Sequence, residues 1–130
     1  MRASALIAVS LLVAACSFPG SQVDDLPGLP GVYVVNGFDP LGTEYSGTVS
    51  IEETGVGSFD MEWVITGAIL EGVGTVNGDT LDVTWRSVET PRGESSGTAT
   101  YSIEPDGRLV GTRTIDGVAG EGTEEIFPSG

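Results

Sequence analysis

Histidine and lysine are both absent from this chain of 130 residues, and cysteine occurs once. Without histidine, the base that activates the serine or cysteine nucleophile of most catalytic triads is missing. Without lysine, Schiff-base chemistry, a serine–lysine dyad and a Walker-type phosphate loop are excluded. A single cysteine can form neither an internal disulfide nor a thiolate metal site. We therefore expect no metal and no cofactor that depends on these residues.

Positive charge is also scarce, since five arginines against 19 acidic residues give a formal net charge of −14. Nucleic-acid binding needs clustered positive charge that displaces counterions, so the composition excludes it. Two carboxyls in unlike environments can serve as acid and base, which leaves a carboxylate-based hydrolase as an alternative. However, 19 acidic residues form many accidental pairs, and the Asp-Thr/Ser-Gly tripeptide typical of aspartic proteases is absent. We predict no catalytic residues and a protein that is not an enzyme.

The first 16 residues carry the clearest motif. After Met1-Arg2, an apolar run from Ala3 leads into Val13-Ala14-Ala15-Cys16. The run is too short to cross a bilayer as a mature helix, and the small residues at its end are typical of a secretory processing site. Val13 to Cys16 resembles the lipobox of bacterial lipoproteins, in which the cysteine thiol is acylated and the peptide is cut just before it.

This resemblance implies a lipoprotein signal peptide over residues 1–15 and a covalent diacylglycerol and palmitate-type acyl modification at Cys16. The alternative is an ordinary signal peptide whose cleavage site happens to precede a cysteine. Because two or more acyl chains anchor a protein stably, we expect an exported protein held on a membrane of the cell envelope. Ser17 occupies the position where an aspartate is associated with inner-membrane retention in Gram-negative bacteria, so the resemblance favours the outer membrane.

The mature chain divides into a tether over residues 16–30 and a domain over residues 31–128. The tether is rich in proline, glycine and aspartate and has no periodicity, as is typical of a flexible linker. From Gly31 onward, apolar and polar residues alternate with a period of two, which predicts strands and no helix. The predicted strands cover residues 31–38, 45–53, 58–66, 69–76, 80–86, 97–104, 108–115 and 119–127.

Three turn motifs set the predicted registers. Asn77-Gly78 and Asp116-Gly117 suit two-residue hairpin turns, and Glu104 to Gly107 suits a longer loop with a left-handed glycine. These turns place the large apolar side chains on one face and the polar side chains on the other. The registers pair Leu81 with Gly74, Trp85 with Leu70, Arg113 with Gly120, Gly111 with Gly122 and Tyr101 with Gly111.

A sheet with one apolar face can hide that face by closing on itself, which also removes both edges. We therefore predict an all-β fold, an antiparallel up-and-down meander of about eight strands closed as a small barrel of lipocalin- or avidin-like shape. Side chains should nearly fill its interior, with room for at most one small ligand. The predicted apolar face comprises Tyr45, Val49, Ile51, Phe59, Met61, Trp63, Ile65, Leu81, Val83, Trp85, Ala99, Tyr101 and Ile103.

Short glycine motifs of the domain carry a second resemblance. Gly31-Val32-Tyr33, Gly97-Thr98-Ala99-Thr100-Tyr101 and Gly122-Thr123-Glu124 are similar to motifs of small uncharacterised glycine-rich β-meander domains in bacterial secreted proteins. That group has an aromatic residue where this chain has Arg113. The resemblance therefore implies a barrel but no shared site.

Two charged residues, Arg113 and Glu124, fall on the predicted apolar face. A charge that faces a core must be paired, so we expect each to have a partner, with the other residue as the candidate. One interpretation is a ligand-binding pocket with Arg113 and Glu124 as polar anchors and Trp63, Trp85 and Tyr101 as walls. The other is a structural ion pair near one end of the barrel with the aromatic residues as core.

The sequence thus predicts a lipid-anchored envelope domain that acts through its surface as a non-enzymatic interaction or structural module. The alternative is a carrier that holds a small apolar or amphipathic molecule inside the barrel. The expected partners are the membrane, through the lipid anchor, and either a protein or a small ligand.

Overall fold

The computed structural model describes residues 28–89 and 94–129 of the chain. The predicted signal peptide, Cys16 and most of the tether lie outside these residues. No helix in the described ranges is long and apolar enough to cross a membrane. The strands are β1 (Gly31–Phe38), β2 (Glu44–Gly55), β3 (Ser58–Ile65), β4 (Ala68–Asn77), β5 (Thr80–Glu89), β6 (Ser96–Ile103), β7 (Leu109–Ile115) and β8 (Val118–Pro128).

The strands form one closed antiparallel barrel. Each strand pairs with the next, and β1 pairs with β8 from Phe38 opposite Thr123 to Tyr33 opposite Pro128. The predicted all-β, eight-stranded up-and-down barrel is therefore confirmed. All members of the predicted apolar face are buried or partly buried, because their alternation along each strand matches the pleat.

The up-and-down order gives the barrel two distinct ends. We call the end with the β1–β2, β3–β4, β5–β6 and β7–β8 connections the upper end. The lower end has the other three connections, and β1 begins there. The described chain therefore enters the barrel from the lower end.

The lower half of the interior is apolar and is closed by the residues before β1. Leu29 is buried among the core side chains. The Tyr33 hydroxyl donates a hydrogen bond of 2.6 Å to the backbone carbonyl oxygen of Leu29. The sequence places Leu29 in the tether, whereas the structure places it in the core. Its apolar side chain covers the lower end of the barrel, so the domain begins a little before Gly31.

Four strand glycines allow the sheet to bend until it closes. A Cβ atom built at Gly47, Gly97, Gly111 or Gly122 would overlap a carbonyl oxygen of the adjacent strand. Such close backbone approach excludes every side chain, and glycine at these points lets strands turn the corners of a small barrel. The frequent glycines of the sequence thus serve closure as well as turns.

The β4–β5 register differs from the prediction by two residues. Asn77 pairs with Thr80, so the two turn residues are Gly78 and Asp79, with Gly78 at φ 64°. A glycine at the first central position is typical of a type II′ turn, which competes with the predicted Asn77-Gly78 turn. Because side chains alternate with a period of two, this shift leaves every residue on its predicted face.

As a result, Val83 rather than Leu81 lies opposite Gly74, and Trp85 lies opposite Gly72 rather than Leu70.

The β7–β8 register follows the prediction only next to its turn. Ile115 pairs with Val118 around Asp116-Gly117, but an irregularity between Arg113 and Ile115 then shifts the pairing. Arg113 lies opposite Gly122 rather than Gly120, and Gly111 lies opposite Glu124 rather than Gly122. Gly120 adopts φ 91°, as a bulge requires. The third register, which sets Tyr101 against Gly111, is confirmed.

Candidate functional site inside the barrel

The candidate site begins as a row of alternating large side chains and glycines across five strands. Tyr45 on β2 pairs with Gly37 on β1, which pairs with Glu124 on β8. Glu124 pairs with Gly111 on β7, and Gly111 pairs with Tyr101 on β6. A Cβ atom at Gly37 would lie 2.6 Å from the Tyr45 ring, so this ring lies over the glycine and reaches towards Glu124.

The carboxylate of Glu124 is the centre of the cluster and is almost completely buried. Its Oε1 accepts hydrogen bonds from the Tyr101 hydroxyl and from Trp63 Nε1, the latter at 3.3 Å. Its Oε2 accepts a hydrogen bond of 2.7 Å from the Tyr45 hydroxyl and faces Arg113 Nη1 at 3.4 Å. Four donors match the four lone-pair directions of a carboxylate, so Glu124 is fully satisfied by the protein.

Arg113 provides the opposite charge and is bordered by two aromatic rings. Its Nη1 donates a hydrogen bond of 2.8 Å to the Tyr45 hydroxyl in addition to its contact with Glu124. Its Cζ atom lies 4.5 Å from the centre of the Trp85 ring and 5.3 Å from that of Tyr45. Both distances fall in the range of cation–π attraction, which partly replaces the hydration that Arg113 loses.

Burial and charge fix the protonation states of the cluster. Burial raises the pKa of the Tyr45 and Tyr101 hydroxyls, and the negative charge of Glu124 raises both pKa values further. Burial alone would lower the pKa of Arg113, but Glu124 and Tyr45 outweigh it and hold the pKa above its usual value. The tyrosines therefore remain hydrogen-bond donors, and Arg113 remains a cation.

Several N–H donors of the cluster have no hydrogen-bond acceptor among the described residues. The indole Nε1 of Trp85 is fully buried, and no acceptor among the described residues reaches it. Arg113 uses only Nη1 in the hydrogen bonds formed within the described part of the chain. Its Nε and Nη2 groups therefore have three N–H donors without a described acceptor. Arg113 retains 9 % side-chain exposure, so it is the point at which the cluster borders solvent.

The cluster lies towards the upper end of the barrel. Tyr45 is close to the start of β2, and Arg113 and Trp63 are close to the ends of β7 and β3, all at the upper end. Glu124 and Tyr101 lie deeper in their strands. The interior is thus polar above and apolar below, and Leu29 covers the apolar end.

The structure brings together the five interior residues that the sequence singles out: Arg113, Glu124, Trp63, Trp85 and Tyr101. The predicted pairing of Arg113 with Glu124 is confirmed. The sequence assigns Tyr45 only to the apolar face, whereas in the structure its hydroxyl connects the two charges. Among the described residues, no group of three or more acidic, cysteine or histidine side chains could hold a metal ion.

A concave feature lies on the outside of the barrel. A groove of about 960 Å³ crosses the outer face from β1 to β6 and is lined partly by outward-facing charged side chains. Arg86 and Glu71, which are direct partners on β5 and β4, form an exposed ion pair of 3.0 Å in its lining. The groove is also lined by Ile51, Met61 and Trp85, whose side chains are buried in the core. Its outward-facing lining includes Val32, Ser50, Glu62, Glu71, Arg86 and Ser96.

Comparisons with known proteins support the class of fold. No family model matches the chain, and no curated protein matches it. A redesigned β-barrel superimposes with a TM-score of 0.67 at 17% identity, covering 78% of this chain and 92% of its own. This similarity defines the chain as a small closed β-barrel and carries no information on its activity.

Two further similar structures were determined with a bound molecule. The redesigned β-barrel mFAP1 bound to DFHBI has a TM-score of 0.63 at 17% identity. EF1p2_mFAP2b bound to DFHBI has a TM-score of 0.64 at 19% identity. Each match covers 78% of this chain and 94% of the other. At these identities the likeness shows a shared fold alone.

Proposed function

We propose that this protein is an exported, lipid-anchored β-barrel that binds a small molecule at its upper end. The observation that carries the proposal is the incomplete donor side of the buried cluster, formed by Trp85 Nε1 and the unused N–H groups of Arg113. A lipid anchor at Cys16 remains an inference from the lipobox resemblance. The carrier thus takes precedence over the surface module that the sequence predicts.

A purely structural ion pair does not explain the cluster. Glu124 is fully satisfied, so its burial needs nothing further. Trp85 Nε1, in contrast, is buried without a partner among the residues that the structure describes, and such a group costs about 1–3 kcal/mol of stability. Buried unsatisfied groups are rare in native proteins and call for an explanation such as a bound molecule. A ligand that accepts hydrogen bonds supplies one.

The similar barrels support the proposal in a second way. Two of them are bound to DFHBI, a small dye, so barrels of this fold can receive a molecule of that size. In a small barrel, the natural place for such a molecule is an open end rather than the filled centre. In this chain, the upper end has the polar groups, whereas Leu29 covers the lower end.

The proposed anchor and the proposed site lie at opposite ends of the barrel. The chain reaches β1 at the lower end, so a lipid at Cys16 would hold that end towards the membrane. A flexible linker of the length of residues 16–30 spans on the order of 20 Å. The upper end would then face away from the headgroups, where a small molecule can enter.

Native mass spectrometry of the full-length protein, extracted with detergent from bacterial membranes, tests both parts of the proposal. We expect a chain that begins at Cys16, has acyl groups and retains a small molecule. The Cys16→Ser variant should lack the acyl groups but keep the molecule, because the barrel is unchanged. An unacylated wild-type chain would contradict the anchor. A barrel that neither retains nor takes up any small molecule would contradict the carrier.

A second candidate is an interaction module that acts through the outer groove. Its volume and the charged residues of its lining favour this alternative. A photoreactive residue at Ser50, which lines the groove, should cross-link a partner protein in cells. The same residue at the exposed Thr100, outside the groove lining, should not. Equal cross-linking at both positions would contradict a specific surface.

A further inference from the structure

We infer that the ligand of the upper-end site is an uncharged, planar organic molecule whose carbonyl oxygen accepts hydrogen bonds from Trp85 and Arg113. This inference rests on the proposed function and specifies the chemical class that the site receives. It is drawn from which hydrogen-bonding groups the protein leaves unused, from the local charge and from the aromatic rings around them.

The unused groups of the cluster are donors. Trp85 Nε1 can only donate, and the free edge of Arg113 can only donate. The carboxylate of Glu124 has no remaining capacity, because Tyr45, Tyr101, Trp63 and Arg113 already occupy it. A ligand that complements this site must therefore bring an acceptor rather than a donor.

The two sets of donors lie close together. Arg113 Cζ is 4.5 Å from the centre of the Trp85 ring, so a single acceptor group can contact both residues. Arg113 lies over the face of this ring, whereas the indole N–H points from the edge of the ring. Because Trp85 Nε1 is fully buried, a ligand reaches it through a small local movement of the surrounding side chains. The Nη1 contacts of Arg113 with Tyr45 and Glu124 would hold its other edge during that movement.

Charge favours a carbonyl over a carboxylate. Arg113 is already neutralised by Glu124, so an added anion would find no net positive charge. The connections at the upper end contribute further acidic residues, among them Asp39 and Asp116, and the whole chain has a formal charge of −14. This field lowers the local concentration of anions. An uncharged acceptor avoids that penalty.

The surroundings favour a flat, apolar body attached to the carbonyl. The rings of Tyr45 and Trp85 both border the guanidinium, at 5.3 and 4.5 Å from Cζ. A planar ligand group that is bound at the free edge of the guanidinium can pack against these rings, because aromatic groups favour stacked or edge-to-face contacts. Apolar walls with a few placed donors are the usual composition of a small-molecule site.

The two tryptophans provide a direct test. In a ¹H–¹⁵N correlation spectrum of the full-length protein, each tryptophan gives one indole N–H signal. Trp63 already donates to Glu124, whereas Trp85 is free to respond. The probes are benzamide, benzoate and toluene, which share a ring but differ in the acceptor and in charge. We expect benzamide to shift the Trp85 indole proton downfield and to leave the Trp63 signal nearly unchanged.

We expect benzamide to bind roughly tenfold more tightly than toluene or benzoate, which corresponds to about 1.4 kcal/mol. The Trp85→Phe variant keeps an aromatic ring, and it should lose the responding signal and this preference. Tyr33→Phe is the control, because it also keeps an aromatic ring and loses one hydrogen-bond donor but lies at the lower end of the barrel, and it should keep both. Because the wild-type indole shift is read directly, the test does not depend on the folding of a variant.

The possible results separate the inference from the proposed function. Equal binding of toluene and benzamide, or tighter binding of benzoate, would overturn the uncharged carbonyl acceptor while a small-molecule site stands. A Trp85 signal that stays unchanged while benzamide binds elsewhere in the barrel would do the same. If none of the three probes binds and mass spectrometry detects no retained molecule, the proposed function itself is overturned.

Discussion

The Tyr45 hydroxyl donates a hydrogen bond of 2.7 Å to Glu124 Oε2, although β1 lies between their two strands. The contact passes over Gly37, the β1 residue that pairs with both. The same hydroxyl accepts a hydrogen bond from Arg113. A single neutral group thus links the buried cation to the buried anion and connects strands that are not neighbours.

Removal of this hydroxyl should destabilise the barrel. In Tyr45→Phe, Glu124 Oε2 loses its closest donor and Arg113 Nη1 loses an acceptor, while the ring remains. We expect a loss of about 1–3 kcal/mol in the free energy of unfolding, measured by urea denaturation. Tyr33→Phe is the matched control, because its hydroxyl bonds only a neutral carbonyl. An equal loss in the two variants would contradict the special role of Tyr45.

The Arg113→Leu substitution distinguishes a binding site from a structural ion pair. It leaves the buried Glu124 without its counter-charge, and removal of one partner of a buried pair costs about 3–5 kcal/mol. A double variant, Arg113→Leu with Glu124→Gln, removes both charges but keeps an amide oxygen that can still accept from the buried hydroxyls, and it should recover part of that loss. If the site binds a small molecule, the double variant folds but no longer retains it.

Stability and binding are therefore measured together for both variants. A double variant that retains the molecule as well as the wild type would show that Arg113 and Glu124 serve stability alone. A single variant as stable as the wild type would show that the ion pair adds nothing to the fold.

The Gly37→Ala substitution tests the row of alternating glycines. Its Cβ would lie 2.6 Å from Tyr45 Cζ and 2.7 Å from the Thr123 carbonyl oxygen. Tyr45 must then move away from Glu124, and we expect a loss of about 1–3 kcal/mol from the overpacking. Gly55→Ala is the control, because the nearest atom to its Cβ lies 4.0 Å away. A tolerated Gly37→Ala with an intact Tyr45 contact would contradict the row.

Much of the fold can be predicted from the sequence because period-two alternation fixes the faces. The register of β4 and β5 cannot, because Asn77-Gly78 and Gly78-Asp79 both satisfy a two-residue hairpin turn. The resulting slip of two residues changes which side chains are opposite but not which side they face. For this reason the sequence correctly places Trp85 in the interior but predicts Leu70 opposite it, where the structure has Gly72.

The site could be predicted only in part. Arg113 and Glu124 stand out because charges on an apolar face are unusual, and their pairing follows from the cost of burial. The role of Tyr45 depends on the closure of the barrel and on the stagger between β2 and β8. Neither is encoded in local spacing. The missing acceptor of Trp85 Nε1 likewise cannot be predicted, because it is recognised only when the positions of all nearby acceptors are known.

High pH should unfold the protein through its three tyrosines, all of which have a raised pKa in the folded state. Tyrosine in an unfolded chain ionises near a pKa of about 10. Below that pH, the folded and unfolded chains bind the same tyrosine protons, so these residues add no pH dependence. Above it, only the unfolded chain releases them, and stability falls as the pH rises.

Each such tyrosine contributes a slope of about −1.4 kcal/mol per pH unit once the pH exceeds its unfolded pKa. Histidine and lysine are absent and add no dependence of their own. Urea unfolding between pH 8 and 11 should therefore show constant stability up to about pH 9.5 and a steep decline above it. In a Tyr33→Phe variant, which retains the two cluster tyrosines, absorbance at 295 nm should detect no tyrosinate at pH 10, and its appearance should coincide with unfolding. Tyr101→Phe should reduce the slope. Tyrosinate in the folded Tyr33→Phe barrel at pH 10 would contradict the burial and charge effects of the cluster.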